Sequence, residues 1–150
     1  MNKKLIIITV FLVVLLSVIA IVYFRSPSGT NDYVLNGIEG LEIKVLKDGG
    51  GEVSKIGDTL TVHYRGVLED GTEFDSSIKR GSPFSFTLGQ GRVILGWELG
   101  LLGMREGEKR EIVIAPELGY GERPAGSIPP NSTLIFEIEL LEIRQNESVL

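Results

Sequence analysis

From Leu41 onward the chain is written in short runs that alternate apolar and polar positions. Leu41-Glu42-Ile43-Lys44-Val45-Leu46 has the period of a half-buried strand, and Lys47-Asp48-Gly49-Gly50-Gly51 breaks it with a flexible turn. Thr59 to Leu68 predicts the next strand, with Leu60, Val62 and Tyr64 on one face and Thr61, His63 and Arg65 on the other. Glu69-Asp70-Gly71-Thr72 reads as a hairpin turn of the Asp-Gly sort, returning into Glu73-Phe74-Asp75-Ser76-Ser77. Pro83-Phe84-Ser85-Phe86-Thr87-Leu88 reads as an edge strand with its proline at the start. Val93, Ile94 and Leu95 then run into Gly96 and Trp97, and a helix-permissive stretch follows from Glu98 to Leu102. Lys109 to Ala115 predicts a strand with Ile112 and Ile114 inward. Glu117 to Pro130 is a Gly- and Pro-rich loop, and Thr133 to Ile143 closes the sheet with Leu134, Phe136, Ile138 and Leu140 inward. Antiparallel strands with one short helix define an α+β domain, a curved sheet of five or six strands laid over that helix.

The first residues follow another pattern. Leu5 to Phe24 is apolar apart from Thr9 and Ser17, and its 20 residues carry no polar face. As a helix rising about 1.5 Å per residue it would match the hydrocarbon thickness of a bilayer. Residues 1–25 therefore read as an uncleaved transmembrane signal-anchor. The competing reading is a cleaved signal peptide, whose apolar region is shorter and ends at a small-x-small site. Lys3 and Lys4 precede the run and Arg25 follows it, so the N-terminus is expected in the cytoplasm, with a single pass through the cell membrane and the domain outside. Residues 26–40 read as a linker, 41–144 as the folded domain and 145–150 as a tail.

Charge and composition narrow the chemistry. Taking Lys3, Lys4 and Arg25 from the 15 basic residues leaves 12 against 20 acidic ones beyond the apolar run, a net of −8. Such a surface argues against nucleic-acid binding, which needs a basic face toward phosphate. Cysteine is absent, which excludes disulfides, a thiol nucleophile and thiolate metal ligation. The only histidine, His63, lies across its strand from Tyr64, and the carboxylates fall on outer faces, so neither a Ser-His-Asp arrangement nor a metal site is expected. Gly89-Gln90-Gly91 is too short for a phosphate loop. Two Asn-x-Ser/Thr triplets, at Asn131 and Asn146, are glycosylation acceptors only in a host that carries out that chemistry. No cofactor is implied.

What remains is a set of rings converging from separate strands: Tyr64, Phe74, Phe84, Trp97, Tyr120 and Phe136, with Val93, Ile94 and Ile128. Packed core is the plain reading of such rings. Tyr120 and Ile128, however, lie in an irregular loop, where large apolar groups have something to cover or bind.

The ordered segments Val62-His63-Tyr64-x-Gly66, Asp70-Gly71-x-x-Phe74-Asp75-Ser76-Ser77, Pro83-Phe84-x-Phe86-x-Leu88-Gly89, Val93-Ile94-x-Gly96-Trp97-Glu98, Tyr120-Gly121 and Ile128-Pro129-Pro130-Asn131-x-Thr133-Leu134-x-Phe136 closely resemble the FKBP-type peptidyl-prolyl cis-trans isomerases, the macrolide-binding immunophilins. The resemblance spans about Gly40 to Ile143. It implies an FKBP-like fold and an X-Pro pocket with Trp97 as its base, Tyr64, Phe74, Phe84 and Phe136 as walls, and Val93, Ile94, Tyr120 and Ile128 at the rim. By the same resemblance the Ile94 N–H and the Tyr120 hydroxyl would bond substrate carbonyls. Asp75 would make a polar contact at the mouth, set by Tyr64 and Arg80; a turn-capping carboxylate is its plainer reading. The catalytic set would then be Asp75, Tyr64, Phe74, Tyr120 and Phe136. The substrate-binding set would be Phe84, Val93, Ile94, Trp97 and Ile128, with Arg80 in support.

Implied partners are unfolded or exported polypeptides carrying X-Pro bonds, and a macrolide as a candidate inhibitor. The loop from Gly121 to Ser127 is slightly shorter than in the simplest relatives and has no aromatic or His at its tip, which bears on substrate preference and drug affinity. The expected function is catalysis of X-Pro rotation during folding of exported proteins. The alternative is a tethered module that grips proline segments without catalysis.

Overall fold

The computed structural model describes residues 37–145. The predicted anchor, most of the linker and nearly all of the C-terminal tail lie outside the described residues. Among the described residues no helix is long and apolar enough to cross a membrane.

The strands are β1 (Leu41–Lys47), β2 (Thr59–Leu68), β3 (Glu73–Ser76), β4 (Phe84–Thr87), β5 (Lys109–Ile114) and β6 (Leu134–Arg144), with the helix α1 (Leu95–Gly100) between β4 and β5. A single 3-10 turn, Pro116–Leu118, interrupts the long loop before β6. All pairings are antiparallel, and the sheet runs β1-β5-β6-β2-β3 with β4 also on β2. The six strands are those the alternation predicts, and one short helix accompanies them.

β2 shares its outer edge between two short partners. β4 pairs with it from Thr59 to Val62, and β3 pairs with it from Arg65 to Val67. In the gap between them stands Tyr64. There Ser77 takes over the ladder: its N–H donates to the Tyr64 carbonyl at 3.1 Å, and its hydroxyl accepts the Tyr64 N–H at 2.8 Å. The chain from Ser77 to Pro83 leaves the sheet as an excursion that carries Arg80.

Inward residues of every long strand meet under α1. Leu60, Val62, Ile112, Ile114, Leu134, Ile138 and Leu140 are sealed from solvent, and Leu101 and Met104 close the far side. Burying each such side chain is worth about 1.5–3 kcal/mol. The helix packs closely because residue 96 is glycine: a Cβ there would lie 2.5 Å from Ile114 Cγ2.

The helix is displaced from its predicted place. It starts at Leu95 and ends at Gly100, where the sequence puts Trp97 at the start of a short helix that runs on through Glu98 to Leu102. The Ile94 carbonyl accepts the N–H groups of Trp97 (2.9 Å) and Glu98 (3.2 Å), which starts the helix earlier. Gly103, at φ +71°, turns the chain away soon after Gly100. A helix of 6 residues has too few internal bonds to persist alone, so its ends must be held by the rest of the fold.

Candidate active site

The rings predicted to converge do so. Trp97 sits on α1 with its ring centroid 5.0 Å from Tyr64, 5.2 Å from Phe136 and 6.2 Å from Phe84, all near edge-to-face. Phe74 meets Phe136 edge-on at 5.4 Å. Edge-to-face pairs put the positive rim of one ring on the negative face of the next, worth about 0.5–1.5 kcal/mol beyond area burial. Two sheet partners arrange this. Phe136 stands opposite Gly66 on β2, and a Cβ on Gly66 would fall 2.7 Å from Phe74 and 2.8 Å from Phe136. Glycine is required where the two rings lean over the strand.

Above these rings opens a cavity of about 670 Å³. Its lining includes Tyr64, Phe74, Phe84, Val93, Ile94, Trp97, Tyr120, Ile128 and Phe136, together with Asp75. Gly91, Arg92 and the loop residues Ala125, Gly126 and Ser127 complete it, and sequence reasoning assigned none of these five. The size suits a small apolar ligand group entering a preformed pocket. Trp97 is only 4% exposed, yet its ring faces the opening. Its indole N–H is buried with no acceptor among the described residues.

Polar groups gather at one side of the mouth. The Tyr64 hydroxyl donates to Asp75 Oδ2 at 2.5 Å and accepts from Arg80 Nη2 at 2.8 Å. Arg80 Nη1 closes the ring onto Asp75 Oδ1, and its guanidinium carbon lies 5.4 Å over the Tyr64 ring. Arg80 is outside the cavity lining and touches it through these two residues. Burial, and next the bond to Asp75, push the Tyr64 hydroxyl above its ordinary pKa. Arg80 is raised as well, first by its bond to Tyr64.

The rim has free donors. Among the described residues nothing accepts the Ile94 N–H or bonds the Tyr120 hydroxyl, and Tyr120 is 43% exposed. His63 is kept apart, with Nδ1 at 3.0 Å from the Ser77 hydroxyl on the other face of β2. The Gly89-Gly91 turn does hold an anion, but it is the chain's own. The Glu98 carboxylate accepts the Gly89 N–H at 2.5 Å and the Gly91 N–H at 2.9 Å.

An antiparallel sheet cupping a short helix, with a ring-lined cavity above its tryptophan, defines a binding pocket for a small apolar group rather than a hydrolytic centre. Comparison with known proteins gives the class. The family model for FKBP-type peptidyl-prolyl cis-trans isomerases matches residues 50–141. FK506-binding protein 1A of Neurospora crassa is 54% identical over 109 residues, covering 71% of this chain and 91% of its own length. Human peptidyl-prolyl cis-trans isomerase FKBP2 is 61% identical over 93 residues, covering 61% and 66% of the two chains. Among solved structures, FkpA from Escherichia coli superposes with a TM-score of 0.69 at 44% identity, over 82% of this chain and 55% of that one. AtFKBP13 gives 0.66 at 41%, over 69% and 92%. The chain belongs to the FKBP-type peptidyl-prolyl cis-trans isomerases and is an enzyme of that activity.

Proposed function

We propose that this isomerase is tethered to the cell membrane by residues 1–25 and turns X-Pro bonds in exported polypeptides on the extracytoplasmic side. The observation that carries the reading is the uncharged, mainly apolar run from Leu5 to Phe24 behind Lys3 and Lys4, joined to an isomerase domain. Uncatalysed prolyl isomerisation takes tens of seconds or longer and can limit folding wherever chains emerge unfolded.

In this reading the amide turns in the cavity above Trp97. Rotation breaks amide resonance against a barrier of about 18–20 kcal/mol. The twisted amide is less dipolar than the planar one, so transfer from water to a pocket of rings favours it over the ground state. A rate gain of about 10⁵ asks for roughly 7 kcal/mol of such differential binding. Tyr64, Phe74, Phe84 and Phe136 wall the prolyl ring, with Val93 and Ile128 above it. The free Ile94 N–H and Tyr120 hydroxyl hold the flanking carbonyls. Asp75 acts mainly through orientation, since Arg80 and Tyr64 occupy both its oxygens. No nucleophile or acid-base pair is needed.

Relatives named for FK506 support a macrolide as competing ligand in the same cavity. FK506 should then inhibit turnover of an X-Pro peptide competitively; inhibition that added substrate does not relieve would place the drug elsewhere. For the tether, membranes of the producing cell are washed with alkaline carbonate and the retained chain is weighed. Full mass in the pellet, with the domain open to protease added outside intact cells, is the expected result. A chain found in the wash, trimmed of its first residues, or protected from external protease would sink the tether or its orientation.

A further inference from the structure

The short helix that carries Trp97 ends among buried polar groups that the mechanism above does not use. Arg110 is 4% exposed, and its guanidinium donates to the carbonyls of Gly100 (2.9 Å) and Gly103 (3.1 Å), with Leu102 at 3.4 Å. Its Nε binds Glu108, which is 5% exposed and also accepts the Arg105 N–H at 2.7 Å. From the other side Ser54, 2% exposed, donates its hydroxyl to the Leu101 carbonyl at 2.6 Å and accepts the Met104 N–H at 2.9 Å. Two side chains from distant parts of the sequence thus hold the turn that ends the helix.

Stability alone does not account for this arrangement. A buried ion pair is often matched or bettered by apolar residues of equal volume, because its desolvation offsets its attraction. Position accounts for it better. The Leu101 N–H donates to the Trp97 carbonyl at 3.0 Å, so the clamped turn is tied directly to the residue under the pocket. The indole has no polar anchor of its own among the described residues, which leaves its height and tilt to ring packing and to the backbone beneath it.

We infer that Arg110, held by Glu108, and Ser54 form a buried clamp on the end of α1 that fixes Trp97, and so the pocket floor, for catalysis. Arg110 and Ser54 are positioning residues, touching no substrate. The inference rests on the cavity above Trp97 being where the prolyl amide turns.

The test uses the full chain in detergent, whose single tryptophan makes emission a report on the floor alone. Titration of the unmodified protein with an X-Pro peptide should shift Trp97 emission. No shift overturns the pocket reading, and the clamp falls with it. Arg110→Met should lower kcat by roughly tenfold with KM little changed, and alter native-state Trp97 emission. Because that variant strands Glu108, Glu108→Gln/Arg110→Met is measured beside it. Its melting temperature should recover while kcat and emission stay altered. Recovery of all three means that Arg110 only neutralises a carboxylate, and the inference is wrong. Ser54→Ala introduces no charge and should lower kcat in the same direction by a smaller factor. If it reduces the melting temperature but leaves kcat and emission as they were, the clamp is scaffolding only.

Discussion

The floor and the rim of the pocket are built on opposite plans. The floor ring Trp97 and the wall rings packed on it, Tyr64 and Phe136, are 4–7% exposed, belong to the hydrophobic core, and touch one another edge to face. The rim on the loop side is Tyr120, Gly126 and Ser127, on irregular chain, with a hydroxyl left open to solvent. Removing a floor ring damages fold and pocket together, whereas the rim can change with little consequence for stability. The difference predicts that activity is robust in such a design and that selectivity is the easily altered property.

The comparison breaks most sharply at Phe136. Phe136→Ala should cost about 3–5 kcal/mol, since it opens a hole between Trp97, Tyr64 and Phe74, and urea unfolding reads it directly. A cost below about 1 kcal/mol would mean that the floor is not part of the core at all. Asp75 lies on the boundary between the two plans, with its side chain 43% exposed. Asp75→Leu frees the Tyr64 hydroxyl and Arg80 from the partner that orients them, so kcat/KM should fall roughly tenfold while the fold persists. Unchanged turnover would remove Asp75 from the site. At the rim, Tyr120→Phe deletes one neutral bond of about 0.5–1.5 kcal/mol, and KM should rise severalfold with no change in melting temperature. A lowered melting temperature would mean that the rim, too, carries stability.

The smallest effect is one of pH. Tyr64 is held neutral in the folded state, with its pKa raised first by burial and then by Asp75. Its contribution to stability is therefore complete below the ordinary tyrosine value of about 10 and is lost as pH rises through the raised value. Thermal midpoints of the protein and of Tyr64→Phe should keep a constant offset up to about pH 10, and the offset should shrink as the pH climbs from there through the raised value. An offset that stays constant through strongly alkaline solution would show that the hydroxyl titrates normally.

Much of this is legible along the chain because the strands obey a period of two. β2 occupies the residues its pattern predicts, and β6 is shifted by one residue. The helix was harder to place. Its first turn begins at Ile94 and Leu95, residues with no helical signal, because tertiary contacts at both ends override local preference. The clamp leaves a trace in the strand pattern. Counting back by two from Ile114 and Ile112 puts Arg110 on the inner face and Glu108 just beyond it, yet charged residues are expected outside. The partners of Ser54 and Glu98 had no signal at all, since each bond depends on how loops close in space. The lining by Ala125, Gly126 and Ser127 was hidden for the same reason.

The order of the strands also says when this molecule can begin to act. β6 is the last of the described strands to be synthesised, yet it lies between β5 and β2 and carries Phe136, one wall of the cavity. Until that closing segment emerges, β2 has no inner neighbour and the chain must wait for a pairing between distant residues, which forms slowly. A nascent copy is thus unable to grip a proline, and one cut short within the final strand never will. Activity arrives all at once, when that central strand pairs on both sides.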